Sequence, residues 1–233
     1  MGEGLKVAVA ANVSYAMKEL IKVFQVKHLN TKVKVIIGSS GKLTAQIHHG
    51  APFDIFLSAD MKYPESLYKA GMAMNKPRVY ARGGLAYLTG QKIDLSIGEK
   101  LLATSKIKKI ALANPKIAPY GKAAVEVMKN AKLYDKVAHK FIYAESVSQT
   151  VAYTITAADI GFVAKSSLYS PKMKNYKKGV HWIAIDTSLY TPINQGIVLL
   201  KDAKLKQDAL AFYDFMFSKE AQEVLYDYGY DLP

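Results

Sequence analysis

Four short polar stretches hold most of the chemical possibilities in this chain: Asn12-Val13-Ser14, Ser39-Ser40-Gly41, Pro119-Tyr120-Gly121 and Ser146-Val147-Ser148. Each comes after an apolar run and precedes a segment of helical spacing. A helix starting there leaves its first N–H groups without intrahelical acceptors and presents the positive end of its dipole. Beside a hydroxyl or carboxamide, such groups suit an anion. Asn or Ser before a helix is also an ordinary N-cap, which competes for the same N–H groups. One corner alone reads most simply as a cap; four together point to a shared ligand.

The other reactive residue types form no catalytic set. The chain has no cysteine, so thiolate nucleophiles, disulfides and Cys-type zinc sites are excluded. Gly38-Ser39-Ser40-Gly41-Lys42 fails the phosphate-loop pattern, which needs four residues between its glycines and Ser or Thr after the Lys; here two intervene and Leu43 comes next. It is not G-x-S-x-G either. Adjacent His48 and His49 point apart on a helix and belong to no H-E-x-x-H motif. Asp54 and Asp60 flank a strand and a turn and read as loop-holding groups rather than an acid/base pair. The sequence therefore predicts a protein that is not an enzyme.

The elements that must position these corners alternate. Leu5 to Ala11 is an apolar run, and Met17, Leu20, Ile21 and Phe24 then mark one face of a helix from Ser14 to His28. Lys32 to Ile37 predicts a strand, Gly38 to Gly41 a break, and Leu43 to Ile47 a short helix closed by Gly50. Phe53 to Leu57 is a strand, and Tyr63 to Ala70 a helix with Pro64 in its first turn and Gly71 at its end. Extended segments come next at Val79 to Ala81 and Leu85 to Leu88. A second series comprises strand Ile107 to Ala113, loop Asn114 to Tyr120, helix Gly121 to Asn130, strand Phe141 to Ala144, helix Ser146 to Thr154, strand Ile160 to Ala164 and extended Trp182 to Ile185. Thr191 to Leu200 is one more strand, succeeded by a helix carrying Leu205, Ala209, Phe212 and Met216 and a second around Glu220 to Tyr228.

Two βα series with a closing strand and helices predict an α/β protein of two lobes, each a mainly parallel sheet flanked by helices. Residues 1–82 form the first lobe, 83–190 the second, and 191–233 return to the first. With 233 residues, 50% of them hydrophobic, the chain can bury such cores unaided. Ligands in this architecture lie beyond the carboxyl ends of strands, and two facing lobes enclose one there.

The formal charge of +13 comes from 32 Lys and Arg against 19 Asp and Glu. The basic residues are nearly all Lys and are dispersed, and they match no nucleic-acid-binding motif, so they read as a solvated surface that attracts anions. No stretch reaches the ~20 apolar residues of a membrane span, and Met1-Gly2-Glu3-Gly4 carries no basic and apolar leader.

At "VAVAANVSYAM", "IIGSSGKLTAQIHHGAPFDIFLSAD", "ALANPKIAPYGKAA", "YAESVSQTVAY", "DIGFVAKSSL" and "AFYDFMFSKEAQEVLYDYGY" the chain resembles the periplasmic molybdate-binding proteins of molybdate ABC transporters, nearly end to end. The G-A-P-x-D-[IL]-F-[IL]-S-A-D stretch is the most specific of these. The resemblance implies a periplasmic-binding-protein (venus-flytrap) fold that closes on molybdate or tungstate and delivers it to a membrane permease. It also implies a periplasmic or extracytoplasmic location with the leader absent from this chain, a monomer, no cofactor and no nucleic-acid partner. By motif, Asn12 and Ser40 occupy the polar positions of the first two corners, Tyr120 lies in the third, and Val147 offers its backbone N–H in the fourth. Ala11 adds a backbone N–H. A number of relatives place an anion-binding Tyr after the G-[IF]-V strand, where this chain has Ala164, and Tyr120 is the candidate to replace it.

None of these donors is Lys or Arg, so neutral dipoles would replace the hydration of the dianion and cavity size would set selectivity. A closed shell of donors would also reject a protonated oxyanion, whose OH finds no acceptor. The same fold tuned to sulfate or another small oxyanion, and a cytoplasmic anion-sensing module, are the alternatives.

Overall fold

The computed structural model describes residues 4–203 and 207–233. The chain divides into two compact units, Met1–Arg82 with Asn194–Pro233, and Gly83–Ile193.

In the first unit, Leu5–Ala10 (β1) leads into Ser14–Lys27 (α1), Val33–Gly38 (β2) into Ser40–His48 (α2), and Ile55–Leu57 (β3) into Lys62–Lys69 (α3). Arg78–Gly83 (β4) closes this stretch. The sheet order is β2-β1-β3, then Ile193–Leu199 (β10, numbered in chain order), then β4. β1 pairs in parallel with both β2 and β3, while β10 runs antiparallel to β3. Successive side chains of a strand point to opposite faces, and both faces are covered. Val7, Val9, Ile55, Leu57 and Ile197 pack with Leu20 and Phe24 of α1 and with Phe212 and Leu225 of the C-terminal helices Gln207–Phe215 (α7) and Lys219–Asp227 (α8). Ala8, Phe56 and Val198 face the other way, onto Leu43, Ile47 and Leu67 of α2 and α3. Burial on two faces is why Val7 to Ala10 of β1 and Ile197 to Leu199 of β10 are continuously apolar rather than alternating. Phe24 meets Phe212 edge-on at 5.0 Å, which ties α1 to α7.

In the second unit, Leu85–Leu88 (β5), Ile110–Ala113 (β6), Phe141–Ala144 (β7), Ile160–Ala164 (β8) and Trp182–Ala184 (β9) form a sheet of order β7-β6-β8-β5-β9. β6 is parallel to β7 and β8, and β5 is antiparallel to β8 and β9. Pro119–Asn130 (α4) comes after β6, the short Tyr134–Val137 (α5) precedes β7, and Val147–Thr156 (α6) comes after β7. Both sheets are thus mixed: a parallel core positions the βα corners, and antiparallel strands extend it.

Three differences from the sequence expectations have local causes. α2 and α4 begin three and two residues earlier than expected, at Ser40 and Pro119, because Gly41 and Gly121 sit inside first turns rather than breaking the chain. The 3-10 segments Leu95–Ala103 and Lys165–Tyr169 have no counterpart in the sequence reading, since such short turns carry no apolar period. Leu205 lies outside the described residues. Among those described, no helix is long and apolar enough to cross a membrane.

Candidate functional site

Three βα corners of the first unit lie side by side because their strands are adjacent and parallel: Ala10 is level with Gly38 at the ends of β1 and β2, and Val9 with Leu57 in β3. Each strand end leads into a polar residue that is almost fully buried: Asn12, Ser40 and Ser58 are 0%, 1% and 0% exposed. A chain of hydrogen bonds connects the corners. The Asn12 Nδ2 donates to Gln195 Oε1 at 2.6 Å and to the Tyr230 hydroxyl at 2.8 Å. Gln195 Nε2 donates to the Ala59 carbonyl at 3.3 Å, and the Ala59 N–H donates to Ser40 Oγ at 2.9 Å. Asn12, Gln195 and Ser40 thereby gain partners, which ties the three corners to β10 and to the C-terminal segment.

These contacts refine the expected roles. Both amide hydrogens of Asn12 are donated within the protein, so its side chain holds the corner, and any donation to a ligand falls to the corner's backbone. The Ala11 N–H donates to Gly38 O at 3.0 Å, continuing the β1–β2 ladder, so Ala11 drops out of the donor set. Ser40 Oγ accepts from Ala59, which leaves its O–H to donate. Ser14 is not an N-cap: it is the first residue of α1, and its Oγ donates back to Ala11 O at 2.6 Å. Ser39, the N-cap residue of α2, makes no side-chain cap hydrogen bond.

The G-A-P-x-D motif proves to be framework. Gly50 takes the left-handed φ of 82° that ends α2, and Asp54, 0% exposed, accepts the Lys6 N–H at 2.7 Å and donates its own N–H to Lys6 O. The Leu200 N–H donates to Asp54 O, so this residue pins β3 to β1 and to the end of β10. Asp60 Oδ1 accepts the Tyr63 N–H, as a loop-holding carboxylate should. Among the described residues no group of three or more His, Cys, Asp or Glu could hold a metal ion.

The second unit repeats the geometry with backbone donors. Ala113 and Ala144 are level at the ends of parallel β6 and β7, which sets the starts of α4 and α6 next to each other. Pro119 has no N–H, so Tyr120 and Gly121 carry the first N–H groups of α4; the side chain of Tyr120 is 2% exposed. Gly121 is required by space: a Cβ there would lie 2.0 Å from Ala113 O. At the next corner Ser146 caps α6 by accepting the Gln149 N–H at 3.3 Å, and Gln149 Oε1 accepts the Glu145 N–H at 2.7 Å. The cap takes the hydrogen of Gln149 and not that of Val147, the first residue of the helix. Ala164, buried at the end of β8, brings no polar side chain to the third strand end. Tyr120 comes after β6, the strand beside it.

A family model for bacterial extracellular solute-binding proteins matches residues 5–231. The chain belongs to that family. A molybdate-binding protein ModA of Azotobacter vinelandii is 35% identical over 230 residues, 98% of this chain and 90% of that relative. A ModA of Rhodobacter capsulatus is 36% identical over 225 residues, 96% of this chain and 86% of the relative. The structure of the Azotobacter vinelandii periplasmic molybdate-binding protein matches with a TM-score of 0.90 at 33% identity, covering 98% of this chain and 99% of that one. The fold is accordingly the two-lobed α/β fold of a periplasmic binding protein, and these relatives are solute binders rather than enzymes.

In this solute-binding protein the residues that sequence reasoning misses are Gln195, Tyr230 and Ala59. One signal exists: Gln195 is a polar residue beside Asn194 at the start of a strand that continues as an apolar run, and it is 0% exposed, a position that demands a partner. Tyr230 carries no comparable mark.

Proposed function

We propose that this protein captures molybdate, and tungstate as a tetrahedral dianion of the same charge, and passes it to the membrane permease of an ABC transporter. It works outside the cytoplasm as a monomer and needs no cofactor. The observation that carries this reading is the buried network from Asn12 through Gln195 and Ala59 to Ser40, which fixes neutral donors at the ends of parallel strands. The names of the relatives point the same way.

The donors are the Ser40 hydroxyl and the backbone at Asn12 and at the start of α2 in the first unit, with Tyr120 and the Val147 N–H in the second. Fixed dipoles replace the hydration shell of the anion with no reorganisation and no ion pair. Backbone N–H groups cannot accept, and the Ser40 oxygen already takes the Ala59 N–H, so an oxyanion that must keep a proton finds few acceptors for its OH. The Lys-rich surface speeds encounter with anions, an effect that weakens with salt.

Isothermal titration with molybdate, tungstate, sulfate and phosphate tests the reading. Molybdate and tungstate should bind more tightly than about 1 μM, equivalent to roughly −8 kcal/mol. Sulfate binding as tight as molybdate would favour the sulfate-tuned alternative, and no binding of any of the four would overturn the proposal.

A further inference from the structure

We infer that the Ser39 hydroxyl is a further donor to the oxyanion, acting beside Ser40 at the N-terminus of α2. The inference rests on the proposed oxyanion reading and adds a residue to its site. Ser39 has φ −69° and ψ 150°, the extended backbone in which an N-cap side chain ordinarily accepts a first-turn N–H. Ser146 and Ser218 have the same class of backbone and do accept one, from Gln149 and Ala221. Ser39 does not. It is only 5% exposed, and its Oγ is buried with no hydrogen-bond partner among the described residues.

A serine hydroxyl at a helix start can cap the helix, bond to a neighbouring group, or meet a ligand. The first two uses are not made. Keeping a buried hydroxyl without a partner disfavours the free protein, and an anion at the nine-residue helix α2 would satisfy it. The adjacent Ser40 Oγ is already held by the Ala59 N–H, so its O–H is oriented by the framework. Two consecutive hydroxyls would then donate to one anion, one anchored through its own accepted bond and one held only by burial.

The test compares the wild-type protein with Ser39→Ala and Ser39→Thr, by calorimetric titration with sodium molybdate and by thermal unfolding with and without it. Ser39→Ala should weaken molybdate binding about tenfold, the worth of one hydrogen bond to a charged acceptor. Its unfolding midpoint without molybdate should be unchanged or higher, because an unsatisfied group has been removed, whereas loss of a helix cap would lower it. Ser39→Thr should restore most of the affinity. Wild-type binding with Ser39→Ala affinity within twofold of it would overturn this inference alone, as would a lowered midpoint in the absence of molybdate. Failure of the wild-type protein to bind molybdate would overturn the oxyanion reading and this inference with it.

Discussion

Replacing Gln195 by Met tests whether the buried network holds the corners as described. The substitution keeps length and approximate volume but removes the acceptor of the 2.6 Å bond from Asn12 and the donor of the 3.3 Å bond to Ala59 O. Asn12 is 0% exposed, so its orphaned N–H costs about 1–3 kcal/mol, while loss of the longer bond costs about 0.5–1 kcal/mol. The apolar side chain recovers roughly 1 kcal/mol by sparing the desolvation of an amide. The net loss is about 2 kcal/mol, which in a protein of this size lowers the unfolding midpoint by about 4–8 °C. Molybdate affinity should also fall severalfold, because Asn12 keeps its bond to Tyr230 but loses its tie to β10, and the corner loosens. Circular dichroism melts and titration calorimetry read both effects. A midpoint within about 1 °C of the wild type together with an unchanged affinity would refute the network as the device that positions the corners.

Asn12→Ala combined with Ser40→Ala should lower molybdate affinity by more than about tenfold, roughly tenfold from the lost Ser40 hydroxyl and a further severalfold from a first corner loosened by the loss of the Asn12 ties to Gln195 and Tyr230, while leaving a folded protein by circular dichroism. Gly121→Ala should destabilise the second unit by about 1–3 kcal/mol, since its Cβ would fall 2.0 Å from Ala113 O and push the start of α4 off β6; a denaturant melt with an unshifted midpoint would contradict the packing. Asp159 gives a pH dependence. Burial pushes its carboxyl up, but the Lys108 and Lys109 N–H groups at 2.7 and 2.8 Å and the Gln91 amide outweigh this and hold it below the usual carboxylate value. A depressed folded pKa adds stability that is present above the unfolded value, about 3.9, and is lost as pH falls through the folded one. Asp159→Asn should therefore cost about 1 kcal/mol at pH 7, after allowance for solvent screening, with the difference closing as pH falls through the depressed folded-state value in acid titrations of the two proteins.

How far the sequence shows this fold depends on the kind of signal. β7 and β8 are legible to the residue, at Phe141–Ala144 and Ile160–Ala164, because short apolar runs bounded by polar residues have few other uses. Helix starts are harder to place at Gly41 and Gly121, which lie inside first turns rather than ending an element; at Gly121 the reason is space beside Ala113 O. The strands β5, β9 and β10 look like members of a parallel sheet, since an apolar run does not encode its direction. The corners are legible because capping chemistry is local. The groups that hold them are not: Asn12 reaches partners 183 and 218 positions away, and nothing near residue 12 announces Gln195 or Tyr230.

Side-chain identity misleads at the corners while residue position does not. Asn12 has the look of a ligand donor, yet both its amide hydrogens go to Gln195 and Tyr230. Ser14 has the look of a cap, yet it bonds back to Ala11 O. Ser39 stands where a cap belongs and does not cap. An anion held by neutral dipoles would need those dipoles fixed to a fraction of an ångström, and a side chain that gives its hydrogens to the protein, as Asn12 does, fixes its corner but keeps none for a ligand. A corner built this way divides its polar groups into those that hold and those that bind. The sequence shows where the groups are, and only their hydrogen-bond partners show which is which.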